Sequence, residues 1–131
     1  MRDAQPITDS LALAAERGGD LTAAVYARLF RERPELEPLF VLDTDGAVRG
    51  EMLARTFDVI LDLAGARSYA PTFVAAEATT HEGYAVPREA YARFFAIVAE
   101  TVRDACGADW TEAMQAAWAD LLSDVEARVG G

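Results

Sequence analysis

The chain of 131 residues contains only one cysteine, Cys106, and only one histidine, His81. A single cysteine excludes an internal disulfide and a cysteine-rich zinc site. Apolar residues make up 52% of the chain, but they occur in short runs such as LALAA and YAPTFVAA, which are too short to span a bilayer. We therefore expect a soluble globular protein in which a metal either arrives within a cofactor or binds to His81.

Basic residues are scarce. The chain has 12 Lys+Arg against 22 Asp+Glu, so its formal net charge is -10. Such a charge repels phosphate backbones and anionic lipid surfaces, so neither nucleic acid nor membrane is an expected partner. The first residues, MRDAQPITDS, lack the basic start and apolar run of a signal peptide, which favours a cytoplasmic protein. The length suits one domain over residues 1–131.

The spacing of apolar residues predicts helices almost throughout and no strand-like alternation. A first helix over about residues 8–17 ends at Gly18 and Gly19, and Asp20 is expected to cap the second. Prolines in RERPELEPLF end this second helix in a short bent connector. Further helices are predicted over about residues 48–64 and 72–82, from Pro87 to Gly107, and from the capping-box pair Asp109 and Glu112 onward.

The single histidine lies near the end of a predicted helix. His81 follows Phe73 and Glu77 at a spacing of four, so these three side chains share one helix face. A lone histidine on a helix is usually a surface group or a hydrogen-bonded core group. It can also supply the axial nitrogen that haem iron needs, and no second histidine could close the opposite side of the iron. The helix pattern leaves both roles open.

Three segments carry a family resemblance: VYARLFRERPELEPLF at 25–40, HEGYAVPREAY at 81–91 and DWTEAMQAAW at 109–118. Their order and spacing resemble the globin family, and more narrowly the single-domain bacterial globins and the haem domain of flavohaemoglobins. The resemblance covers nearly the whole chain. It implies an all-α globin fold, with about six to eight helices packed around one haem b.

The resemblance also implies a set of residues on the proximal side of the haem. His81 matches the ligand of the haem iron, and Val86 and Tyr91 match residues near it. Apart from this proximal set, Phe40, fourteen residues after Tyr26, resembles the ring that packs against the haem plane. In flavohaemoglobin-like globins a glutamate late in the last helix acts with the tyrosine, but this chain reaches its ARVGG end before such a glutamate.

On the distal side, the resemblance implies that the Tyr26 hydroxyl donates to a bound gas, although a tyrosine of this kind can also be an ordinary core residue. An ungapped alignment places Arg49 where relatives usually have glutamine or histidine. Arg49 could then donate to the ligand, pair with a haem propionate or extend into solvent. Met52 and Leu53 would form an apolar roof, and Met52 could alternatively occupy the sixth position of the iron.

The function implied by the resemblance is reversible binding of a diatomic gas at a five-coordinate iron, without catalytic residues. Oxygen is the first candidate, with nitric oxide and carbon monoxide as further ligands. Two other functions are compatible with the same residues: a globin-like sensor or partner-binding module, with or without haem, and a nitric-oxide dioxygenase. The dioxygenase would need a separate reductase, because the chain has no flavin or nicotinamide domain, and the lack of the late glutamate argues against it.

Overall fold

A computed structural model describes residues 3–130, and within this range the chain forms six α-helices and no strand. The α-helices are α1 (Gln5–Gly18), α2 (Thr22–Glu32), α3 (Ala47–Ala64), α4 (Ala70–Gly83), α5 (Arg88–Cys106) and α6 (Glu112–Gly130). Two short 3-10 helices, Pro34–Phe40 and Gly107–Asp109, connect α2 to α3 and α5 to α6. The predicted all-α fold with six to eight helices is thus confirmed.

The turn between α1 and α2 depends on a glycine. Gly19 has φ +63°, which places it in the left-handed region where a side chain would be strained. The prediction for Asp20 was wrong by one position, because the N-cap residue is Leu21 and the helix begins at Thr22. Asp20 still stabilises this helix end, since its carboxylate accepts the Thr22 backbone N–H at 2.9 Å.

The start of α6 also differs from the prediction. Thr111, rather than Asp109, caps this helix, because its hydroxyl oxygen accepts the Met114 backbone N–H at 3.1 Å. Asp109 ends the preceding 3-10 turn and pairs with Arg17 of α1 instead. The extra turn moves the helix start to Glu112, so the capping box predicted from the spacing does not form.

Helix α5 is the central element of the fold and contacts α1, α2, α4 and α6. Its buried face includes Phe95, Val98, Val102 and Cys106. Burial of such side chains is the main favourable contribution to the folding free energy. None of the helices in the described part of the chain is long and apolar enough to cross a membrane.

A small polar cluster is buried where α1, α5 and α6 meet. The Ser10 hydroxyl donates to the Ile7 carbonyl at 2.8 Å and accepts the Trp118 indole N–H at 2.9 Å. The Cys106 thiol donates to the Ser10 carbonyl at 3.4 Å. Each of these buried polar groups therefore has a partner, as stable packing requires.

The corner between α3 and α4 is organised by one carboxylate. Asp62 accepts hydrogen bonds from the backbone N–H groups of Ser68, Tyr69 and Ala70, and also from the Ser68 hydroxyl. Partial desolvation alone would raise the pKa of Asp62, but these hydrogen bonds outweigh it and lower the pKa to about 2. The corner fixes the start of the helix that carries His81.

Candidate functional site

An open cavity of about 280 Å³ lies between α2, the Pro34–Phe40 helix, α3, α4 and α5. Its wall is mostly aliphatic and aromatic with a few polar groups, a composition typical of ligand sites. The lining residues are Tyr26, Leu29, Leu36, Leu39, Phe40, Val48, Glu51, Met52, Arg55, Thr56, Val59, Phe73, Glu77, His81, Val86, Ala90, Tyr91, Phe94 and Phe95. Most of the residues expected at the haem thus lie around one cavity.

His81 lies near the end of α4 and lines this cavity. Its Nδ1 atom is 2.8 Å from the Glu77 carbonyl oxygen, one helical turn earlier, and 3.4 Å from the Glu77 carboxylate oxygen Oε2. Because a carbonyl can only accept, Nδ1 carries the proton in this arrangement. In the neutral imidazole with this tautomer, the other nitrogen, Nε2, has a lone pair available to a metal.

Tyr91 and Val86 both contact His81. The Tyr91 ring lies 4.8 Å from the His81 ring, centroid to centroid, and Phe95 packs edge-on against Tyr91 at 5.6 Å. The Val86 backbone N–H donates to the His81 carbonyl at 3.0 Å. Burial, with a further contribution from the negative charge of Glu77, raises the pKa of the Tyr91 hydroxyl. The imidazole therefore sits in a well-defined wall built from α4 and α5.

Tyr26 borders the same cavity from α2. Its ring packs against Phe30, Phe40 and Phe94 with centroid distances of 5.8, 5.5 and 5.5 Å. The residue is only 3% exposed, yet its hydroxyl has no hydrogen-bond partner within residues 3–130. Burial raises the pKa of this hydroxyl, so it stays a neutral donor. A buried donor of this kind costs about 1–3 kcal/mol unless something binds to it.

The face of α3 that meets the cavity agrees only in part with the face expected from the ungapped alignment. Met52 lines the cavity, together with Val48, one turn earlier, and Thr56, one turn later. Leu53 is instead 2% exposed within the core, and Arg49 is not among the lining residues. Neighbouring positions on a helix differ by about 100° around its axis, so Arg49 and Leu53 point away from the face that carries Val48 and Met52.

Arg49 is bound to the turn before its own helix. Its Nε donates to the Asp43 carboxylate at 2.9 Å and its Nη2 to the Asp43 carbonyl at 2.8 Å. The same carboxylate accepts the backbone N–H groups of Val48 and Arg49, both at 3.0 Å. Partial desolvation favours the neutral form of Asp43, but these hydrogen bonds prevail and lower its pKa. Arg49 therefore stabilises the start of α3.

A different arginine meets the cavity. Arg55 is one turn beyond Met52, is exposed at the cavity and forms no ion pair within the described chain. Glu51, on the adjacent turn, is the acidic side chain of α3 at the same rim. Neither residue was predicted as part of the site. The three-four spacing of Val48, Met52, Arg55 and Val59 was the signal that could have identified this face.

The residues of the cavity suit a haem. His81 presents one free nitrogen, the unpaired Tyr26 hydroxyl offers a hydrogen bond, and apolar and aromatic side chains surround the space between them. Arg55 supplies a positive charge at the rim, where a carboxylate of a cofactor could bind. These features satisfy the main needs of a large apolar plate with a metal centre and acidic side groups.

Comparison with known proteins gives one match. The family model described as Globin matches residues 23–129, which include most of the fold from α2 to α6. No curated protein and no solved structure matches the chain. Because the family model covers far more than half of the sequence, and the all-α fold agrees with it, the chain belongs to the globin family.

Proposed function

We propose that the protein binds haem b and uses it to bind a diatomic gas reversibly, with oxygen as the principal ligand. Globins are typically haem proteins, and the observation that carries the proposal here is the geometry of His81. The hydrogen bond from Nδ1 to the Glu77 carbonyl fixes the ring and leaves Nε2 as the metal-binding nitrogen. Haem, once bound, supplies an iron centre that coordinates the gas.

Tyr26 is the residue proposed to stabilise the gas. Its hydroxyl is a neutral donor without a partner within residues 3–130, and its ring is fixed among three phenylalanines. A ligand that gains partial negative charge, as oxygen does, accepts such a hydrogen bond better than carbon monoxide does. Tyr26 therefore favours oxygen over carbon monoxide in this proposal.

The iron is proposed to be five-coordinate at rest. The chain has no second histidine, and the thioether of Met52, one possible axial donor at the cavity, is a weak ligand of ferric iron. Phe40, Val86 and Tyr91 would contact the cofactor plane, and Arg55 would bind one of its carboxylates. Arg49 and Leu53 would act indirectly, by fixing α3.

The proposal concerns gas binding rather than turnover. Oxidation of nitric oxide would require repeated delivery of electrons, for which a separate reductase would be the partner. A gas carrier needs no such partner and no catalytic residue. Its requirement is an imidazole, a donor to the gas and an apolar cavity, which are the three features described above.

Absorption spectroscopy tests the proposal. Purified protein, supplied with haem, should show a Soret band that shifts when the iron is reduced and again when carbon monoxide is added. Oxygen should bind to the reduced protein and be removed again by lowering its pressure. A protein that stays colourless when haem is supplied would contradict haem binding and would favour a haem-free partner-binding module.

A further inference from the structure

Glu77 contacts His81 with two different groups. Its backbone carbonyl oxygen lies 2.8 Å from Nδ1, and its side-chain oxygen Oε2 lies 3.4 Å from the same nitrogen. A carbonyl one turn earlier is a partner that any residue at position 77 would supply. The carboxylate is specific to this sequence, and it adds a full negative charge beside the imidazole.

Within residues 3–130, the Glu77 carboxylate pairs with no other cation than His81. Among the ion pairs of residues 3–130, the partner of Glu77 is His81, whereas the arginines nearest in sequence, Arg67 and Arg88, pair with Asp124 and Glu82. The Glu77 side chain is about one-third exposed, at 31%, and lines the cavity. Its charge is thus only partly screened by water and is directed at the proximal side of the site.

We propose that Glu77 is a positioning residue that sets the electron donation of His81 to the haem iron and so lowers the reduction potential of the iron. The proposal rests on haem binding by His81. A carboxylate next to Nδ1–H polarises the N–H bond and makes Nε2 a stronger donor. Oxidation of the iron adds one positive charge, and a nearby negative charge stabilises the oxidised form.

This arrangement gives the chain a proximal carboxylate from within α4 itself. The contact is local, over one helical turn of α4. It therefore does not require a carboxylate from α6. A carrier with a more donating imidazole holds oxygen with more charge on the gas, which strengthens the hydrogen bond from Tyr26. The two residues would therefore act in the same direction from opposite sides of the cavity.

The test compares Glu77→Gln with Glu51→Gln. Both variants remove one negative charge from the wall of the same cavity, but only Glu77 contacts His81. In reduced protein, resonance Raman spectroscopy reports the iron–histidine stretching frequency, which should fall in Glu77→Gln and stay unchanged in Glu51→Gln. At a fixed potential, the ratio of oxidised to reduced protein should fall about tenfold in Glu77→Gln. This corresponds to a reduction potential higher by about 59 mV for a one-electron couple. The ratio should fall less in Glu51→Gln.

Three results are decisive. An unchanged stretching frequency in Glu77→Gln, or potential shifts of equal size in the two variants, overturns the inference, because the carboxylate would then act only as one of several distant charges. Wild-type protein that takes up no haem overturns the proposed function and the inference with it. A lowered stretching frequency in Glu77→Gln, together with the larger potential shift, supports the assignment of Glu77.

Discussion

Two buried hydroxyl groups distinguish the two sides of the molecule. The Ser10 hydroxyl, where α1, α5 and α6 meet, donates to one partner and accepts from another. The Tyr26 hydroxyl, at the cavity between α2 and α3, has no partner within residues 3–130. Both lie in residues that are nearly inaccessible to water, at 0% and 3% exposure. One side of the fold is therefore complete without a ligand, and the other leaves a hydrogen bond unformed.

The apolar side chains show the same contrast. Trp118 is almost fully buried in the α1–α5–α6 side, whereas Leu39 and Val48, which line the cavity, are each 51% exposed. Exposed apolar side chains around a concave site are a sign of ligand binding. The contrast indicates that tight packing is concentrated in the α1–α5–α6 side and that the cavity is the candidate place for a ligand.

The largest expected effect is on haem retention. His81→Ala should abolish stable haem binding, because the chain has no second imidazole that could take over the iron. Haem content per chain, measured from the pyridine-complex spectrum, checks this, and far-UV circular dichroism controls for helix content. A variant that purifies with a full haem complement and an unchanged spectrum would remove His81 from the site.

Trp118→Ala should destabilise the fold rather than impair the site directly. The substitution deletes a buried ring and leaves the Ser10 hydroxyl without its donor, so the free energy of unfolding should fall by about 3–5 kcal/mol. Urea unfolding of the haem-free protein measures this. Trp118→Phe keeps most of the buried area and should cost clearly less. Equal losses for the two variants would contradict the importance of packing at this position.

Tyr26→Phe should impair gas binding without destabilising the fold. Because the lost hydroxyl has no partner within the described residues, haem-free protein should be as stable as wild type or more stable by about 1 kcal/mol. The oxygen dissociation rate should rise about tenfold, which corresponds to about 1.4 kcal/mol, and the carbon monoxide rate should rise less. Stopped-flow measurements give both rates. Equal and negligible changes for the two gases would place the hydroxyl outside the ligand site.

Arg55 and Arg49 should differ although they lie on the same helix. Arg55→Leu should increase the rate of haem transfer to a scavenger about two- to fivefold, because an exposed ion pair contributes up to about 1 kcal/mol. Arg49→Leu should leave that rate nearly unchanged and lower the melting temperature, since it breaks the contacts with Asp43. The reverse result would show that Arg49 turns toward the cofactor when haem binds.

The smallest effect is expected at Ala85, in the link between α4 and α5. Its φ of +69° is unfavourable for alanine, so Ala85→Gly should relieve backbone strain in the folded protein. Glycine also has greater freedom in the unfolded chain, which opposes this gain. The free energy of unfolding should therefore rise by a net amount of about 0.5 kcal/mol. Ala76→Gly, at an exposed position within α4, is the matched control and should lower it by about 0.5–1 kcal/mol. Thermal unfolding compares the two, and a loss of stability in both variants would show that the strain at Ala85 is negligible.

Much of the fold follows from the sequence, because helix ends have strong local signals. The long helix was predicted over residues 48–64 and is observed over Ala47–Ala64, and the glycine pair after α1 ends that helix as expected. The caps at Asp20 and Asp109 were misplaced because a side chain can accept from several nearby N–H groups. Which one it accepts from depends on the preceding turn, whose geometry the sequence pattern does not determine.

The candidate site was harder to predict, and α3 shows why. Of the three α3 residues expected at the cavity, Met52 lines it, whereas Arg49 and Leu53 do not, and Val48 lies there instead of Arg49. An alignment without gaps across the DTDG turn gives an approximate position along the helix, but it does not determine which of two neighbouring residues faces the cavity. The position of His81 near the end of a helix was easier to predict, since that helix is followed by a proline-containing link. The carboxylate of Glu77 was seen on the same helix face, but its contact with Nδ1 depends on a side-chain rotamer, which no spacing reveals.

The short link over residues 84–87 joins the end of α4, which carries His81, directly to α5, so the position of the imidazole is coupled to the position of α5. The hydrogen bond from Val86 N–H to the His81 carbonyl and the contact of the Tyr91 ring with the imidazole leave little slack between the two helices. A displacement of the imidazole by a fraction of an ångström must therefore be absorbed as a strain across α5, whose other faces press against α1 and α6. The packing of α5 against α1 and α6 thus opposes any displacement of the His81 imidazole.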